Sequence, residues 1–138
     1  MTGLFKSSSV AETKALAEKF AATLKGGEIV CLEGDLGSGK TTFTRYLAAA
    51  LGAKGAVSSP TFCIVQEHAD AKLVHMDLYR LSGEDDVLAI GWEDYLDRGY
   101  TIIIEWPERA GSLIPPDAVR IFFRHGEGED ERLVEFVV

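Results

Sequence analysis

The sequence predicts an α/β domain. Three observations carry the prediction: brief apolar runs alternate with segments of helical spacing, one such run leads straight into a glycine-rich turn and a helix, and two alternating runs near the end resemble a hairpin. At 138 residues the chain suits one domain, residues 1–138, with room for a hydrophobic core.

Taken in order, Ser9-Val10-Ala11-Glu12 is a capping-box pattern, followed by Leu16, Phe20 and Leu24 at a spacing of four. This is an amphipathic first helix, closed by Gly26-Gly27. Ile29-Val30-Cys31-Leu32 is too brief for a helix and reads as a buried strand within residues 28–33. A glycine-rich turn comes next, then a helix over residues 41–51, stopped by Gly52. Residues 61–66 and 73–78 read as two strands separated by turn residues 69–72. Residues 83–97 have helical spacing, with Val87, Ile90, Tyr95 and Leu96 set among acids. Residues 100–104 form the most β-branched run and so a further strand. Residues 119–123 and 133–137 suggest a closing antiparallel hairpin.

Bulk properties narrow the function. Fourteen Lys plus Arg against 22 Asp plus Glu give a net charge of -8, which disfavours tight, direct binding of nucleic acid. No apolar run approaches the ~18 residues of a membrane span, and the N-terminus has no apolar signal region. A soluble cytoplasmic protein is expected. Cys31 and Cys63 lack companions at metal-ligand spacing, so both read as buried reduced thiols.

Chemistry concentrates in Gly34-Asp35-Leu36-Gly37-Ser38-Gly39-Lys40-Thr41, which satisfies the Walker A pattern G-x-x-x-x-G-K-[ST]. Its glycines let backbone N–H groups turn inward on phosphate oxygens, and the helix that follows adds its positive end. Lys40 is expected to reach the β and γ phosphates of ATP, and the Thr41 hydroxyl to ligate Mg²⁺. Such a site also needs an acid at the end of a neighbouring strand. Ile102-Ile103-Ile104-Glu105 and Leu73-Val74-His75-Met76-Asp77 both supply one. Glu105 is favoured for magnesium and Asp77 for the attacking water, with the exchanged roles left open.

Other residues have two readings each. Thr61, in Ser58-Ser59-Pro60-Thr61, either touches phosphate or metal or simply opens a strand. Arg80 either neutralises transition-state charge or pairs with an acid. Ser82 reads as a helix cap and His75 as a structural residue. Trp106 either packs or lies close to the site.

The chain has no Asn, and no Asp is followed three residues later by Gly, so the guanine-selecting and switch elements of GTPases are missing. A small-molecule kinase needs an arginine-bearing lid, yet the basic residues are scattered. An ATPase that drives a conformational change fits best. A small kinase and a nucleotide-gated binding module remain as alternatives.

Gly34 to Thr42, then Ser59-Pro60-Thr61, His75-Met76-Asp77-Leu78-Tyr79-Arg80 and Glu105-Trp106-Pro107 resemble the successive motifs of the TsaE (YjeE) family. These are bacterial ATPases of tRNA threonylcarbamoyladenosine biosynthesis. The resemblance implies a P-loop NTPase-like fold, a central mostly parallel sheet with antiparallel flanking strands. It further implies nucleotide contacts from residues 34–42, magnesium contacts at Thr41 and Glu105, and an acid important for hydrolysis at Asp77. Partners implied are the TsaD and TsaB proteins, with tRNA reached only through their complex. Hydrolysis is expected to be slow.

Overall fold

The computed structural model describes residues 1–35, 38–54 and 64–138. Seven strands form one sheet: β1 (Gly3–Ser7), β2 (Ile29–Glu33), β3 (Val65–His68), β4 (Leu73–Asp77), β5 (Thr101–Glu105), β6 (Val119–His125) and β7 (Arg132–Val137). Their spatial order is β1-β7-β6-β2-β5-β4-β3. The central pairs β6·β2, β2·β5 and β5·β4 are parallel, whereas β1·β7, β7·β6 and β4·β3 are antiparallel. The sheet is therefore mostly parallel at its centre with antiparallel flanks, as expected.

Helices α1 (Val10–Ala21) and α2 (Lys40–Ala50) cover one face, while α3 (Glu84–Ala89) and α4 (Trp92–Asp97) pack on the other. Alternation along the strands explains the two layers. Val30 and Leu32 join Phe20, Phe43, Leu47 and Ile103 under α1 and α2, whereas Cys31, Ile102 and Ile104 join Val87 and Trp92 on the opposite side. Strands buried on both faces must be apolar throughout, and for this reason β2 and β5 read as unbroken apolar runs. Phe43 meets Phe123 edge to face at 5.3 Å, and Phe20 lies 5.2 Å from Phe136. Among the described residues no helix is long and apolar enough to cross a membrane.

Local expectations met five adjustments. The Ser9 hydroxyl does cap α1, accepting the Glu12 N–H, but the Glu12 carboxylate accepts the N–H of Ser8 rather than of Ser9. Residues 83–97 form two short helices instead of one, because Gly91 between them adopts φ +96°, outside the helical region. Ser82 does not cap α3. Its N–H instead donates to Asp86 Oδ2 at 2.8 Å, and the cap position is Gly83. Strand β1 carries no clear signal in the sequence, and β3 runs later than expected, to His68; residues 61–63 lie outside the described residues.

Candidate active site

The carboxyl ends of parallel β2, β4 and β5 share one edge, where open α/β sheets place their ligands. The Walker A segment leaves β2 at this edge. Gly34 has φ +153°, and a Cβ there would lie 2.6 Å from the Phe123 carbonyl oxygen, so only glycine fits so close to β6. The Ser38 N–H donates to the Asp35 carbonyl at 3.1 Å, closing the turn. Gly39, at φ +101°, starts α2 with no side-chain cap and no acid in the first turn. Among the described residues no side chain caps the leading N–H groups of α2, an arrangement that suits an anion. The buried Ser38 hydroxyl has no hydrogen-bond partner among the described residues. A glycine-lined turn ending at an uncapped helix start suits a phosphate group. Leu36, Gly37 and Thr61 lie outside the described residues.

Lys40 is 5% exposed, and its Nζ donates to the Gly34 carbonyl at 2.5 Å. The same Nζ sits 4.5 Å from the centre of the Trp106 ring, a cation–π contact. Trp106 immediately follows Glu105, so the loop lysine and the acid-bearing strand end meet at one place. Trp106 occupies the left-handed region at φ +59°, a conformation that costs roughly 1–3 kcal/mol for a bulky residue. Its ring also contacts Tyr79 at 4.9 Å between centroids, so Trp106 bridges the lysine and the turn beyond β4.

The two acids follow from strand periodicity. Leu73, His75 and Asp77 on β4, with Ile103 and Glu105 on β5, point to the face covered by α2, and the register sets Asp77 beside Glu105. Glu105 is 4% exposed and its Oε2 lies 2.8 Å from His75 Nε2. Asp77 is half-buried, its Oδ1 accepting the Tyr79 N–H at 3.0 Å. Burial pushes the Asp77 carboxyl above its ordinary value, and the Glu105 charge adds to this. The Tyr79 N–H, His75 and Lys40 oppose the rise.

Thr41 and Thr42 are half-buried in the first turn of α2. Among the described residues no cluster of three or more His, Cys, Asp or Glu gathers to cage a metal. Mg²⁺ does not require one, since it keeps waters and takes oxygens from phosphates beside one or two protein ligands. A hydroxyl at position 41 with a buried carboxylate at 105 is a donor set of the right hardness. Arg80 is exposed. Cys31 lies outside this site in the core, where burial raises its thiol to about 11.

The sequence reads His75 as structural; its ring is buried and touches Glu105. A sign was present: His75 and Asp77 are two residues apart and share one strand face. Trp106, left ambiguous, proves to link Lys40 to the end of β5.

Fold and site together define an α/β protein with a Walker A turn at the edge of a mostly parallel sheet. The family model described as "Threonylcarbamoyl adenosine biosynthesis protein TsaE" matches residues 7–134. The chain belongs to the TsaE family. It is 40% identical over 127 residues to the tRNA threonylcarbamoyladenosine biosynthesis protein TsaE of Bacillus subtilis, covering 91% of this chain and 78% of that one. To the protein of the same name from Aquifex aeolicus it is 46% identical over 105 residues, 68% of this chain and 78% of the relative. The crystal structure of YdiB from Bacillus subtilis superposes with a TM-score of 0.76 at 34% identity, covering 99% of this chain and 86% of that one.

Proposed function

We propose that this protein binds ATP with Mg²⁺ and hydrolyses it slowly in support of the TsaB and TsaD proteins, which carry out the tRNA threonylcarbamoyladenosine modification. One observation carries the reading: Lys40 of the Walker A segment, the Trp106 ring and Glu105 meet at a single sheet edge, with Asp77 in register beside Glu105. In this reading the N–H groups of the turn and of the α2 start hold the phosphates, and Lys40 neutralises the β and γ oxygens. Thr41 and Glu105 hold the magnesium, which screens phosphate charge when bound. Asp77 orients the attacking water. Its raised pKa suits a group that accepts a proton during the reaction. The acidic balance of the chain fits docking on proteins, with tRNA reached only through the complex.

The test is Lys40→Ala. Losing charge-assisted contacts worth about 3 kcal/mol together should weaken ATP binding roughly a hundredfold or more by calorimetry. Phosphate release to water should be lost as well. Unchanged affinity in the folded variant would sink the reading, and stoichiometric transfer of phosphate to an acceptor would point to a kinase.

A further inference from the structure

His75 is a buried polar group with no role in the reaction described above. It lies in the middle of β4, 1% exposed, flanked in sequence by Val74 and Met76, whose side chains enter the opposite core layer. Its own side chain shares the α2 face with Leu73 and Asp77. The parallel register sets His75 against Ile103, so Glu105 two residues further along β5 is its diagonal neighbour. Nε2 stands 2.8 Å from Glu105 Oε2, and both side chains are almost wholly removed from solvent. Nδ1 has no partner among the described residues.

One tautomer fits this arrangement. A hydrogen on Nε2 is donated to the carboxylate, whereas the tautomer with its only hydrogen on Nδ1 would turn a bare nitrogen toward Glu105 and bury an unpartnered N–H. Placing an imidazole in a layer shared with Leu73 and Ile103 costs free energy that an aliphatic side chain would not. The Glu105 contact offsets that cost. It also restrains a carboxylate at a strand end that otherwise has free rotation about its terminal bond.

We infer that His75 is the positioning residue for Glu105: its Nε2–H holds one carboxylate oxygen and leaves the other for the cation. The inference rests on the Mg-ATP reading. Hydrogen bonds of this kind to metal ligands typically change metal affinity ten- to a hundredfold.

The experiment measures, by calorimetry, the magnesium concentration at which ATP binding to the full chain is half-enhanced. It compares the unaltered protein with His75→Gln, His75→Asn and Glu105→Gln. Gln places an amide N–H near the position of Nε2, while Asn is too short to reach Glu105. His75→Asn should need roughly ten- to a hundredfold more magnesium, as should Glu105→Gln, and His75→Gln should stay near the unaltered value. Equal magnesium dependence in His75→Asn and unaltered protein overturns the positioning role while leaving the Mg-ATP reading intact. ATP binding indifferent to magnesium in the unaltered protein overturns that reading and the inference with it. Should the Asn variant fail to fold, the unaltered protein still decides. The Nε2–H proton resonance of His75 should shift when magnesium is added with a non-hydrolysable ATP analogue, and an unmoved resonance overturns the role.

Discussion

Asp77 sits where its own charge is unwelcome. It is partly withdrawn from water and lies beside a second acid, Glu105, with the Tyr79 N–H, His75 and Lys40 only partly compensating. Its folded pKa therefore exceeds the unfolded value, so the native state binds more protons between those two values. Stability falls as pH rises through that window and stays lower above it. Asp77→Asn removes the penalty and keeps Oδ1 as acceptor for the Tyr79 N–H. At neutral pH the Asn variant should unfold at higher urea than the parent, with a melting point up to a few degrees higher. The advantage should vanish below the ordinary carboxylate range, while ATP hydrolysis collapses at every pH. An Asn variant no more stable than the parent at neutral pH would contradict this account. Lys40, Asp77 and Glu105 stand out in the sequence as candidates because each ends or follows a recognisable run. His75 does not, since a sequence reveals the face of a strand but not which acid lies diagonally across the next one.

At the scale of elements, the junction between β2 and the Walker A turn is tightly constrained. A Cβ on Gly34 would lie 2.6 Å from the Phe123 carbonyl oxygen and 3.0 Å from the Phe123 Cβ, so either the turn or β6 must move. Gly52 also has positive φ, +103°, but among the described residues nothing lies within 4 Å of a Cβ placed there. Gly52→Ala should thus show backbone strain alone, and Gly34→Ala strain plus overpacking of roughly 1–3 kcal/mol more. Thermal melts should separate the two variants by several degrees, with ATP affinity falling only in Gly34→Ala. Equal melting points would mean that the turn absorbs the Cβ freely. Runs such as those of β2 and β5 were readable because burial on both faces leaves an unbroken apolar signature. Strand β1 was not, because Leu4 and Lys6 face solvent and only Phe5 and Ser7 turn inward, too few residues to establish a period. The break between α3 and α4 was likewise hidden, since apolar spacing continues across Gly91 and only its φ reveals the interruption.

At the scale of the whole molecule, strand order was beyond the sequence. The closing hairpin β6·β7 was evident, but nothing local says that β6 inserts beside β2 or that β1 returns to pair with β7. Those pairings are set by which faces can be buried together. The resulting placement has a functional consequence. Lys40 is shared between the Gly34 carbonyl and the Trp106 ring, and Trp106 stacks on Tyr79, which is 54% exposed. On the proposed reading, a phosphate that draws Lys40 toward itself should also withdraw the cation from Trp106, and the surface around Tyr79 should change with the nucleotide. A ligand moves such an equilibrium only by its differential affinity for the two arrangements. If the γ phosphate of ATP engages Lys40 as proposed, ATP should promote docking on the TsaB and TsaD pair more than ADP does. By linkage the pair should raise the affinity for ATP by the same factor, typically about 5- to 150-fold. Tyr79→Ala should reduce that factor without abolishing ATP binding by the isolated chain. The measurement is the affinity for the pair with a non-hydrolysable ATP analogue, with ADP and without nucleotide. Three equal affinities would uncouple the nucleotide site from its partners.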